Sequence, residues 1–384
     1  MLKMKPWTLG LCGLGLVSLA GVANAEEKLN AVQALTPTAI SGYVDTSAIW
    51  LFGTGNTLYG RSFDGSAKQD GFNLDVVKVQ IDGPPLQDGQ WSASYGVGLL
   101  FGPDANTLAS TSALAPGTAG TSDFAIKNAY VSLRAPVGNG LDLKVGVWDT
   151  LIGYEVFEAG NNPNFSRSFG FYLEPVIHTG IQASYKFCDV LSIAGGVADS
   201  GNINTINARP SVESLKSYLG SITLTAPEGA GFLKRATLVG GVVDAGVTPG
   251  QDVVNYYIGG TLPLPIPGLS LGAAYDYRAN GLFDGSYENA VAGYLLWQAT
   301  EKLKVNGRVD YGTGSNGAYG VAVAPGADNV KLLSTVVTLD YGLWANVISR
   351  AEFRWDHSVS GQPLFLDGSE KDACSLALNV IYKF

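Results

Sequence analysis

The side chains with the most chemistry lie close together between Thr150 and Glu174. Tyr154, Phe157, Phe165, Phe169, Phe171 and Tyr172 share that stretch of 25 residues with Glu155, Glu158, Arg167 and Glu174. Six aromatic rings are more apolar surface than a hydrated loop leaves in water, so the segment packs against something. Acids and an arginine held on a packed loop can steer or filter charged solutes. A second set recurs near the C-terminus. In "EKLKVNGRVDY" Lys304, Arg308 and Asp310 share one parity, and in "NVISRAEFRWD" Arg350, Glu352 and Arg354 do the same, opposite Val305, Val309, Phe353 and Trp355. These six are the candidate lining of a water-filled passage. Arg308, Arg350 and Arg354, with Arg167, would form a basic flank facing Glu155 and Glu158. Each charge has an equally good use in pairing across strands.

Catalytic and metal-binding readings find less support. Beyond residue 25 the chain has two histidines, His178 and His357. Asp356 and His357 look like an acid–base pair, but adjacent strand residues project to opposite faces. No G-x-S-x-G motif stands on a strand-to-helix turn, and no helix is evident. The acidic stretches "SFDGS" (62–66) and "LFDGS" (282–286) hold too few oxygen ligands for a calcium loop. The sequence therefore reads as no enzyme, with no cofactor and no metal. Nucleic acid is a poor partner for its charge: removing Lys3 and Lys5 from 24 basic against 33 acidic side chains leaves −11.

The elements that must position these residues are strands. Period-two alternation predicts sixteen, at 38–51, 72–82, 90–101, 123–135, 140–149, 175–187, 189–199, 216–226, 232–244, 253–262, 268–278, 286–298, 301–311, 332–343, 346–356 and 373–384. Those at 72–82 and 232–244 alternate imperfectly, as bulged strands do. Almost every strand has one wet and one dry face. Short connections such as "PVGNG" and "KFCD" separate long ones, which is the asymmetry of a transmembrane barrel with periplasmic turns and longer extracellular loops. Such a barrel predicts two aromatic girdles. Trp91, Tyr185, Phe187, Trp297, Tyr341, Tyr382 and Phe384 fall at the short-turn end, and Tyr218, Tyr275, Tyr277, Tyr287, Tyr311 and Trp355 at the other. The fold class expected is all-β: a closed antiparallel barrel in an outer membrane, most simply of sixteen strands. Closure follows from hydrocarbon, which cannot satisfy an open sheet edge.

The chain begins with two lysines, an apolar run from Leu9 to Ala20 and then Ala23-Asn24-Ala25, a secretory signal with cleavage expected after Ala25. Residues 26–37 then form a short periplasmic segment and 38–384 a single barrel domain. Cys188 falls in a periplasmic turn and Cys374 near the outside. A band roughly 25 Å tall separates those ends, so two free thiols are expected.

The stretch "GVWDTLIGYEVFEAGNNPNFSRSFGFYLEPVIHTGIQASY", residues 146–185, resembles the OmpL-like β-barrel porins of Gram-negative bacteria. The likeness lies in Gly153-Tyr154-Glu155, in Asn161 through Ser168, and in the strand after "EPV". The terminal Phe384 is similar to the aromatic residue by which such barrels are recognised for assembly. The resemblance implies a pore-forming barrel in the bacterial outer membrane with poorly defined solutes, and the whole reading is of a porin passing small hydrophilic solutes and ions by diffusion. Its partners would be outer-membrane lipid and small solutes; a homotrimer is compatible with a lipid-facing wall whose many small residues can pack against a copy of itself, and the sequence does not establish it. By analogy with general porins the 150–174 loop folds inward to narrow the pore; packing over the rim or on a neighbouring subunit satisfies the same composition. The rival functions are a non-conducting adhesin, receptor or structural barrel, and a substrate-specific channel.

Overall fold

The computed structural model describes residues 38–53, 57–108, 122–199, 206–207, 215–248, 251–322 and 329–384. The expected signal peptide, its cleavage after Ala25 and the segment 26–37 lie outside these. Sixteen strands follow one another: Ala39–Phe52 (β1), Gly71–Asp82 (β2), Ser92–Phe101 (β3), Phe124–Ala135 (β4), Leu141–Asp149 (β5), Ile177–Lys186 (β6), Leu191–Ala198 (β7), Ser217–Thr225 (β8), Thr237–Thr248 (β9), Gln251–Pro263 (β10), Leu269–Ala279 (β11), Tyr287–Gln298 (β12), Leu303–Gly314 (β13), Val330–Trp344 (β14), Val347–Ser358 (β15) and Asp372–Lys383 (β16). Each pairs antiparallel with its sequence neighbours, and β1 pairs β16, so the sheet closes on itself.

Alternation decides which way each side chain faces. On β13 and β15 the even residues from Asn306 to Asp310 and from Arg350 to Asp356 are buried in the lumen, while Val309 and Phe353 are exposed on the outer wall. The outer aromatics form the expected bands, with Trp91, Trp297, Tyr341, Tyr382 and Phe384 exposed at the short-turn end and Tyr218 and Tyr275 at the other. Asp356 and His357 face opposite ways: Asp356 is buried with Arg354 and Arg61, and His357 meets Asp372 outside. The barrel seam is closed at its periplasmic end by Phe384, whose backbone exchanges two hydrogen bonds with Gly42 at 2.9 and 3.0 Å. Its ring lies where a Cβ on Gly42 would stand, 2.6 Å from it. Cys188, in the turn after β6, and Cys374, across from Phe52, are both free.

The alternation defects have concrete causes. In β2 the partner of β1 jumps from Val76 to Leu74 between Asp45 and Thr46, so Asp75 and Val76 both turn inward. A second bulge in β4 does the same for Lys127 and Asn128. Each bulge thereby adds a charged side chain to the lumen. The strand expected at 232–244 begins five residues later. Gly231 and Arg235 adopt left-handed φ of 62° and the chain makes a 3-10 turn over Gly231–Leu233, so extended pairing starts at Thr237. The expectation of no helix is also corrected: Phe169–Leu173 is a short α-helix (α1) within the third long loop.

Candidate pore constriction

Residues 150–174 leave β5 and run through the lumen rather than over the rim. The loop first ties itself together. Asn162 accepts from the Val156 amide at 2.8 Å and donates to the Val156 and Glu158 carbonyls. The Arg167 guanidinium donates to the carbonyls of Val156, Phe165 and Phe157 at 3.1, 2.6 and 2.6 Å. Ser168 caps α1 by accepting from the Phe171 amide, and Glu155 accepts from the amide and hydroxyl of Ser168 at 2.7 and 2.9 Å. An arginine with three carbonyl acceptors and a carboxylate with two donors make a short segment rigid without a sheet of its own.

The folded loop is then fastened to one side of the wall. The Glu352 carboxylate on β15 accepts from the amides of Phe165 and Ser166 at 2.6 and 2.9 Å and from the Thr338 hydroxyl at 2.7 Å. Asn164 reaches Thr338 in turn. Arg308 on β13 donates to the Ser166 and Arg167 carbonyls at 2.6 and 3.0 Å, and bonds both Glu155 and Asp310. Asp310 accepts from the Phe169 amide, Arg354 donates to the Arg167 carbonyl, and Arg350 donates to the carbonyls of Ala159 and Asn162. Further round, Asn306 holds the Pro163 carbonyl and Asn255 that of Leu173. Tyr154 stacks on Tyr294 with ring centroids 4.3 Å apart, its hydroxyl 3.0 Å from that of Thr261.

The aromatics seen in the sequence fill the remaining gaps. Phe157 and Ala159 pack with Tyr43, Leu100, Leu108 and Ile381. Phe169 and Leu173 join Tyr319, Leu332 and Phe365. Leu151 and Ile152 meet Trp148, Leu219, Tyr257 and Tyr294. The packed side of the lumen therefore resembles a protein core, and the charges on it are sealed. Arg308 and Arg354 are each 1% exposed and Glu352 2%. Of the six residues expected to line water, Arg308, Asp310, Arg350, Glu352 and Arg354 lie under the loop and anchor it, because its carbonyls and amides are their partners; Lys304 alone is exposed. The expected basic flank facing Glu155 and Glu158 is split for the same reason. Glu155 is bonded directly to Arg308, whereas Glu158 turns across the seam and pairs with Lys78 of β2.

Partial exposure persists on the inward faces of β2 to β6, at Lys78, Gln80, Asp82, Tyr130, Arg134, Asp142, Lys144 and Ser184. Water reaches the lumen along that strip. Two loop acids, Glu158 at its border and Glu174 beside β11, are shifted in opposite directions. Burial pushes the Glu158 carboxyl up, but the Lys78 and Lys127 ammonium groups outweigh that and hold it well below the usual carboxylate range. Glu174, buried beside the Asp276 carboxyl, is driven well above that range, by desolvation first and by the neighbouring acid second. Both carboxyls occupy space left by glycine: a Cβ on Gly153 would stand 2.3 Å from Glu174, and one on Gly170 2.3 Å from Asp276.

Sequence parity identified the inward face, and the aromatic count identified a packed loop. It missed Asn162, Asn164, Asn255 and Asn306, whose side chains hold loop backbone. Their signal is weak, since an inward amide suits bulk water equally well.

Solved outer-membrane proteins share the fold. OmpF of Salmonella typhi, in complex with daunomycin, superposes with a TM-score of 0.61 at 13% identity, covering 90% of this chain and 97% of that one. An anion-selective porin from Comamonas acidovorans gives 0.58 at 10% identity, covering 90% and 99%. A trimer form of OmpT of Vibrio cholerae gives 0.55 at 13%, again covering 90% and 99%. Among curated proteins none matches the chain. The family described as "Putative beta-barrel porin-2, OmpL-like" matches residues 37–384, nearly the whole chain. The closed sixteen-strand barrel, with its aromatic bands and its inward third loop, thus belongs to the OmpL-like β-barrel porin-2 family and is an outer-membrane porin channel.

Proposed function

We propose that the channel passes small hydrophilic solutes and ions by diffusion, and that residues 150–174 set its narrowest section. One observation carries this reading: loop backbone is bonded to inward side chains of β13 to β15, while exposed lumen remains along β2 to β6. In it Tyr154, Glu155 and Arg167 fix the loop, Glu158 borders the water with Lys78, and Lys304 lies at the periplasmic mouth. Arg308, Asp310, Arg350, Glu352 and Arg354 act as its anchors. Phe384 serves as the terminal assembly signal, supported by its place at the seam. Residues 1–25 direct export, 26–37 lie in the periplasm, and the outer wall meets lipid. A homotrimer is supported by the trimer form of one fold neighbour. The channel has no catalytic or metal centre in this reading.

A second reading, a barrel plugged by its loops, draws on the three apolar clusters inside the lumen. Ionic current through the purified protein in planar bilayers separates the two. Steady single-channel steps at neutral pH support diffusion, and silence across the voltage range refutes it.

A further inference from the structure

The lumen strip that the loop leaves open has its own charge pattern. On it each carboxylate next to a cation is already engaged. Asp142 takes the Arg134 guanidinium through both oxygens at 2.6 Å, Asp149 takes Lys127, and Glu158 takes Lys78. Asp82, at the periplasmic end of β2, accepts from the Gln80 amide at 2.9 Å. Lys144 on β5 is different. Among the described residues no carboxylate lies within ion-pair distance of it, and its ammonium sits 4.3 Å from the centroid of the Tyr130 ring. Its strand neighbours facing the lumen are Ser132 and Gln182, which are neutral.

That arrangement gives a cation with one side held and one side free. The ring face stabilises the ammonium from one side, so the long side chain does not collapse toward a distant acid. Tyr130 is itself positioned by glycine, since a Cβ on Gly96 would stand 2.7 Å from its ring and hydroxyl.

We infer that Lys144, carried on Tyr130, is the residue that makes this channel favour small anions, chloride and small carboxylates among them. The inference rests on the diffusion reading above, because a selectivity residue needs a conducting path. Anions gain a partially desolvated cation with no carboxylate in direct contact, along the β2 to β6 side of the lumen, with Asp142 and Asp149 acting on it only from a distance. Cations meet Asp142, Asp149 and Glu158 already paired with Arg134, Lys127 and Lys78, leaving Asp82 at the periplasmic end, held by the neutral Gln80 amide alone.

The test is the reversal potential in a potassium chloride gradient, measured on the whole barrel in planar bilayers. Lys144→Gln and Lys144→Met each remove the charge without stranding a partner. Each is expected to lower the chloride-to-potassium permeability ratio about threefold to tenfold, the effect of one unit charge a few ångströms from an ion in water-like surroundings. Lys144→Arg keeps the charge and the aromatic contact and is expected to keep the ratio. Lys186→Gln is the control: it removes the same formal charge from the periplasmic mouth, where Lys186 pairs with Asp189, and should leave the ratio unchanged. An unaltered ratio in either neutral Lys144 variant overturns the inference, as does an equal shift in Lys186→Gln. No current from the wild type would instead sink the diffusion reading beneath it.

Discussion

Replacing Glu352 with alanine attacks the loop at an anchor that holds two of its backbone amides. The carboxylate receives the amides of Phe165 and Ser166 and the Thr338 hydroxyl within 2.9 Å, and the residue is 2% exposed, so water offers no substitute. Truncation strands two buried backbone N–H groups at about 1–3 kcal/mol each, and removes a charged acceptor whose bonds are worth more than neutral ones. Together these weaken docking by about 3–6 kcal/mol, or on the order of a hundredfold to ten-thousandfold in the ratio of docked to released loop. Glu352→Gln keeps one carbonyl oxygen for one of the amides and should lose about half as much. Hydrogen exchange at Phe165 and Ser166 measures this directly, with the strand amides of β14 as a control for barrel integrity. Alanine should accelerate exchange at the two loop amides by at least about a hundredfold and glutamine by less, with β14 unchanged. Equal protection in wild type and Glu352→Ala would refute the docking scheme.

Two other perturbations follow from the same contacts. The carboxyl of Glu174 is raised in the docked loop, so it contributes stability that is fully present below the ordinary glutamate value and is lost as pH rises through the docked one; Glu158 is depressed and acts in the opposite sense, its contribution being lost as pH falls. Conductance should therefore rise toward alkaline pH, and Asp276→Asn, which removes the neighbouring acid, should flatten that rise; a rise of equal size in the variant contradicts the assignment. At the seam, Gly42→Val would drive a side chain into the Phe384 ring and to within 2.2 Å of the Lys78 carbonyl. It should reduce the yield of heat-modifiable barrel in outer membranes as severely as deletion of Phe384, and normal yield from both would remove the seam's role in assembly.

The fold was legible because a barrel wall imposes one rule on every strand. Period two, with lipid on one side and water or loop on the other, fixes the face of Val309, Phe353 and Arg308 alike. Local backbone chemistry was less visible. The 3-10 turn at Gly231–Leu233 hid behind apolar Phe232 and Leu233, which read as the start of a strand that the backbone does not form there. The extra residue at Lys127 costs β4 nothing in hydrophobic pattern, because Lys127 and Asn128 are both polar. Site geometry was legible only in part. Parity says that Arg308, Arg350 and Arg354 face inward, but not that carbonyls of Ser166, Arg167 and Ala159 stand opposite them, across 142 to 191 residues of sequence. Whether an inward charge meets water or a loop depends on that opposite surface. Six aromatics showed that the loop packs, and the wall charges showed where polar partners were available; joining the two required the fold.

The central claim is that residues 150–174 narrow a conducting barrel. Single-channel conductance of the wild type and of a deletion of 155–170, recorded in planar bilayers under the same salt and voltage, tests it most directly. Larger unitary current is expected in the deletion, with the wide lumen opened on the β10 to β16 side. Equal or smaller unitary current in a folded deletion variant would contradict it.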